Sequence, residues 1–96
     1  MTTTMNDNTP APGWVYFIAG ADMEEPLVKI GYTSNDPRKR RNDLQTGSPV
    51  GLDLIAYIPG SRDDEQRLHD VWGEYRSHGE WFFMRDDLHQ FVMEMA

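Results

Sequence analysis

The stretch GWVYFIAGADMEEPLVKIGYTSNDPRKRRNDLQTG, residues 13–47, decides the fold. Trp14-Val15-Tyr16-Phe17-Ile18 is aromatic and β-branched, the composition of a strand. Gly20, two acids and Pro26 follow within Ala19 to Pro26 and predict a turn. Leu27-Val28-Lys29-Ile30-Gly31-Tyr32-Thr33 alternates in polarity and predicts a second strand. Two strands joined by a short loop form an antiparallel hairpin. Asn35 or Asp36 can cap a helix, and Pro37 suits its first position. That helix should run to about Thr46 and stop at Gly47.

Outward from this core unit, Leu52 to Ile58 predicts a third strand, closed by Pro59-Gly60. Ser61 opens a second helix. Asp64, three residues on, completes a capping box with Asp in place of Glu. Leu68, Val71, Trp72 and Tyr75 fall at helical spacing and form its expected apolar face. Gly79 should end it. Glu80 to Met84 is a short extended segment, and Asp86 to Met95 a last helix with Leu88, Phe91, Val92 and Met95 on one side. The expected class is α+β, a three-stranded antiparallel sheet flanked by helices in the order ββαβαα. Residues 1–12 have almost nothing to bury and are expected to be a disordered lead. Residues 13–96 are expected to form a single domain.

Composition excludes several functions. The chain has 96 residues and no cysteine, so disulfide frameworks, zinc ribbons and thiol nucleophiles are out, and a cytoplasmic location is expected. No apolar run approaches the roughly 20 residues of a membrane span. The first residues lack the basic start and apolar middle of a secretory signal. Net charge is −7, unlike a typical nucleic-acid-binding domain. Yet four of the nine basic residues are consecutive, Arg38 to Arg41, and local charge decides what binds.

No cofactor motif is present: neither a glycine-rich phosphate loop nor a dinucleotide fingerprint. His69, His78 and His89 are nine and eleven residues apart, which is not a zinc spacing. The serines sit in turns and helix starts, with no nucleophilic partner suggested. Tyr16, Lys29, Arg40, Glu65 and His69 remain. Phosphodiester hydrolysis needs an activated water, positive charge on the phosphate and help for the leaving oxygen. A phenol or amine can orient or deprotonate water. Arginine matches phosphate geometry with two parallel hydrogen bonds. One carboxylate can hold Mg²⁺, which keeps most of its waters.

Five pieces occur in order: Val15-Tyr16-Phe17; Lys29-Ile30-Gly31-Tyr32-Thr33; Asp36-Pro37 with Arg40 and Leu44-Gln45-Thr46-Gly47; Glu65 with Leu68-His69; and Gly79-Glu80-Trp81-Phe82. This pattern resembles the GIY-YIG nuclease superfamily, and within it a compact subgroup, frequent in phages, with KIG in place of YIG. The resemblance implies a metal-dependent DNA endonuclease. Tyr16 would activate or position the water, and Lys29 would hold the water or the phosphate. Arg40 would stabilise the transition state, and Glu65 would hold one Mg²⁺ or Mn²⁺. His69, one turn after Glu65, would lie on the same helix face. DNA is the implied partner, with a homodimer or a protein partner supplying further affinity.

Each residue also has an ordinary reading. Tyr16 suits a sheet core, and Lys29 a solvent-facing strand position. Arg38, Lys39 and Arg41 suit a solvated helix face. Glu65 suits a first-turn acid favoured by the helix dipole, and His69 suits a pin between helix and sheet. Trp81 and Phe82 suit core packing. The competing function is a protein-binding module of phage or host regulation, without catalysis, using the acidic surface.

Overall fold

The computed structural model describes residues 13–21 and 24–96; the N-terminal lead expected over residues 1–12 lies outside them. In chain order the elements are β1 Trp14–Gly20, β2 Leu27–Thr33, α1 Pro37–Thr46, β3 Leu52–Pro59 and α2 Arg62–Val71. A single 3₁₀ turn, Gly73–Tyr75, leads to β4 Arg76–His78, β5 Trp81–Phe83 and α3 Asp86–Met95. The five strands form one antiparallel sheet in the order β3-β1-β2-β5-β4.

This corrects the expected three-stranded sheet and the order ββαβαα. The two added strands are three residues each, too short to show an alternation. Gly79, at φ +55°, makes the turn between them, a backbone state that glycine adopts without a Cβ penalty. The helix expected to reach Gly79 stops at Val71, and Tyr75 moves into the 3₁₀ turn. Gly73 is poor in a helix interior. Val71, expected on the apolar face, is 62% exposed.

The sheet has two covered faces. Val15, Phe17, Val28, Ile30, Ala56 and Phe82 bury one face, against Leu88 and Val92 of α3 with Leu68 and Trp72 packed alongside. Tyr16, Ile18 and Leu52 bury the other, with Leu44 of α1, Val50, Leu54 and Trp81 around them. Continuous apolar strands such as Val15–Ile18 are what a two-sided core requires, since successive side chains point opposite ways. Burying a side chain the size of Phe82 is worth about 1.5–3 kcal/mol. In β3 the pairing jumps from Phe17↔Ala56 to Ile18↔Leu54, leaving Ile55 as a bulge. The bulge resets the alternation, so Leu52 and Leu54 face one layer and Ala56 the other.

The caps are those the sequence predicts. The Asp36 side chain accepts from the Arg38 amide, with Pro37 beginning α1. Ser61 and Asp64 form a reciprocal capping box on α2. No helix of the described residues is long and apolar enough to cross a membrane.

Candidate functional site

The site begins at an incomplete strand edge. β5 pairs with β2 only from Leu27 to Lys29, so the rim from Ile30 onward has no neighbouring strand. Two contacts cover its start. The Ile30 amide donates to the Glu80 carbonyl at 3.0 Å. The His69 ring bonds through Nε2 to the Ile30 carbonyl at 2.8 Å.

His69 is 7% exposed, and both its ring nitrogens are engaged. An Arg76 guanidinium nitrogen lies 3.2 Å from Nδ1. Guanidinium can only donate, so Nδ1 holds the lone pair and Nε2–H donates to the Ile30 carbonyl. The ring also packs on Phe82, with centroids 5.1 Å apart. His69 therefore pins α2 to β2, which leaves neither nitrogen for a substrate. Replacing it with alanine would orphan a buried carbonyl, at about 1–3 kcal/mol, and open a void besides. A His69→Ala variant should lose about 2–3 kcal/mol in a urea titration, with Arg76→Ala losing less.

A charged cluster stands beside this pin. The Lys29 ammonium lies 3.0 Å from Glu80, with Lys29's side chain 16% exposed. It also lies 5.7 Å from the Trp81 ring centroid. Lys29 is thus held in place, where the sequence alone suggested a solvent-facing lysine. Glu65, on the first turns of α2, neighbours Glu80. Burial, and after it the Glu80 charge, pushes the Glu65 carboxyl above the usual carboxylate range, against the pull of the Arg62 charge. The folded state therefore holds this proton to higher pH than the unfolded chain does. Stability falls as pH rises from the ordinary carboxylate range to the raised folded value, and the deficit persists above it. Glu65→Gln removes the titration. It should melt higher than the wild type at neutral pH, the gap closing in acid, as followed by circular dichroism.

Between α1 and the start of α2 lies an open polar cleft of about 280 Å³. Tyr32, Asn35, Lys39, Arg40, Asp43 and Arg62 are among the residues lining it. The four consecutive basic residues divide their work. Arg38 is tied to Asp36 at 3.2 Å, and the Arg41 guanidinium donates to the Leu52 carbonyl at 3.0 Å. Arg38 in turn holds the Asp36 carboxyl below its usual range. Lys39 and Arg40 point into the cleft and form no salt bridge with another described residue. Lys39 is exposed, as a solvated face requires, and also lines the cleft.

Tyr16 is 1% exposed and packs in the second core layer. It pairs with Gly31 across the hairpin, and its ring lies over that residue: a Cβ on Gly31 would stand 2.3 Å from Tyr16 Cζ and Oη. Ile18↔Lys29 is the next same-face pair, which makes Tyr16 and Lys29 diagonal neighbours on one face. The structure thus brings Lys29, Glu65 and His69 together with Glu80. It sets Arg40 in the cleft with Arg62, whose charge is felt by Glu65. It leaves Tyr16 beneath Gly31 and outside the cleft lining. Tyr16, Arg40 and Glu65, to which the resemblance assigns the water, the transition state and the metal, are therefore not gathered in the cleft, whose lining includes only Arg40 of the three. Glu80 and Tyr32 stand within the motifs quoted from the sequence but were given no role there, and Arg62 was not singled out. Arg62 had only its place after the Ser61 cap.

A sheet rim thus adjoins a carboxylate pair and a cation-lined cleft in one α+β domain. The chain belongs to the T5orf172 domain family, whose model matches residues 13–95. This is a nuclease-like, DNA-binding domain family. It is a family distinct from GIY-YIG, and the match corrects the GIY-YIG resemblance drawn from the five ordered motifs. No curated protein and no solved structure matches the chain. The residue roles implied by that resemblance accordingly stand on geometry alone.

Proposed function

We propose that this protein is an endonuclease that hydrolyses DNA phosphodiester bonds with the help of one divalent metal ion. The observation that carries this reading is the cleft: uncommitted cations on α1 face it, with the Glu65–Glu80 carboxylates adjoining through Arg62. Arg40 grips the scissile phosphate and stabilises the charge that builds on it. Lys29, held by Glu80, adds a fixed ammonium on the neighbouring face. Tyr16 is too buried to meet substrate in the cleft and serves as packing in the sheet, on the face that carries Lys29. His69 acts by positioning, fixing the helix that carries Glu65.

The donor set fits Mg²⁺ or Mn²⁺. No group of three or more His, Asp or Glu gathers among the described residues, so a closed all-protein cage is absent there. Mg²⁺ asks for only one or two carboxylates and keeps its waters. Glu65 and its neighbour Glu80 offer that pair, and the repulsion that raises Glu65 is the kind a cation relieves. When bound, such an ion supplies positive charge at the phosphate and makes its water more acidic.

Protein binding without chemistry is the competing reading. The net charge of −7 and the burial of Tyr16 favour it. Nicking of supercoiled plasmid separates the two. The proposal expects conversion to open circles with Mg²⁺ or Mn²⁺ and none with EDTA. Equal background in wild type and Glu65→Ala would favour the binding module.

A further inference from the structure

Arg62 is the one cleft residue supplied by α2, and the cation–π geometry fixes where it sits. Its guanidinium carbon lies 4.9 Å from the Tyr32 ring centroid. Tyr32 lines the same cleft, as do Lys39 and Arg40 from the facing helix. The ring holds a long, entropically costly side chain against one wall. Arg62 forms no salt bridge with another described residue, although it lies near Glu65. Three cations from two helices thus face a cleft that contains one acid, Asp43. On a chain of net charge −7 this is a local excess of positive charge.

We infer that Arg62, braced by Tyr32, is a second backbone-binding residue, and that it and the Lys39–Arg40 pair hold successive phosphates of one DNA strand from opposite walls. The ligand is a sugar-phosphate backbone, recognised by charge and spacing rather than by base edges. The inference rests on the DNA reading above and deepens it. It explains how an acidic domain meets a polyanion: the contact is confined to one cleft, where Asp43 is the one acid among the described lining residues. The Tyr32 ring has a structural task here, holding the guanidinium against its face.

The test is binding without cleavage, so that its failure and the failure of the nuclease reading can be told apart. Fluorescence anisotropy would follow a labelled 20-nucleotide single strand, and its duplex, in EDTA over a salt series with the full chain. Arg62→Ala should weaken binding about tenfold. The slope of log K against log salt should shrink by about 0.7 for the single strand and about 0.9 for the duplex, the loss of one phosphate contact. Arg62→Lys should recover the slope, because it keeps the charge. Tyr32→Phe should bind as wild type, and Tyr32→Leu should bind more weakly. Equal affinity and slope in Arg62→Ala and wild type would overturn the inference, as would no binding of either probe by wild type. Normal binding behaviour with no plasmid nicking would sink the nuclease reading and leave this one standing.

Discussion

Arg40→Ala should slow plasmid nicking by about 10²–10³-fold, a loss of roughly 3–4 kcal/mol in transition-state stabilisation. The size follows from what the side chain has left to do. Arg40 is exposed, on the cleft-facing side of α1, and makes no salt bridge with another described residue. It therefore contributes little to folding, and the variant should melt with the wild type. Its neighbours give the control. Arg38 is tied to Asp36 and Arg41 to the Leu52 carbonyl, so Arg38→Ala should leave nicking within a few-fold of wild type. Single-turnover rates with saturating enzyme would separate this loss from weaker DNA binding. Arg40→Lys should recover only part of the rate, since an ammonium cannot make the two parallel hydrogen bonds of a guanidinium.

The second large effect belongs to Gly31. An alanine Cβ there would stand 2.3 Å from Tyr16 Cζ and Oη and 2.7 Å from Cε1. The obstacle is a rigid ring held in a packed layer with Ile18, Leu52 and Leu44. Gly31 itself is fixed by the Tyr16↔Gly31 pairing, so neither partner can yield cheaply. Gly31→Ala should cost about 3 kcal/mol, the upper end of ordinary overpacking. Because the displaced ring neighbours Lys29, nicking should fall as well. Tyr16→Leu in the same chain should restore part of the stability, so the two substitutions should couple in a double-mutant cycle by urea denaturation. Additive losses would place the ring elsewhere.

Much of the fold can be read from the chain because its signals are local. The hairpin, the Asp36-Pro37 start of α1 and the Ser61–Asp64 box each depend on neighbours within a few residues. Of the two short strands, Trp81–Phe83 lies within the extended segment read over Glu80 to Met84, but it joins the sheet only through the β2 edge, and Arg76–His78 becomes a strand only by pairing with it in turn. The Ile55 bulge is likewise invisible, because partly buried Leu54 and Ile55 stand side by side and show no clean alternation. The site divides in the same way. A run of four basic residues does not by itself separate Arg40 from Arg38 and Arg41; its place in the cleft lining does. Glu80 acquires meaning only when β5 pairs with β2 and brings it to Lys29. Arg62 acquires it only when the start of α2 faces α1 across the cleft. His69 was legible as polar, but its two bonds reach residues 39 and 7 positions away in the chain.

The central claim is that the α1 cleft and the Glu65–Glu80 pair act on one phosphate. It is tested most directly by single-turnover DNA cleavage with Mg²⁺ in wild type, Arg40→Ala, Glu65→Gln and the double variant. Groups that serve one transition state lose their effects together. Both single variants should lose most of the cleavage rate, and the double variant should be scarcely slower than the worse of them. Losses that multiply fully, or a single variant that cuts like the wild type, would contradict it.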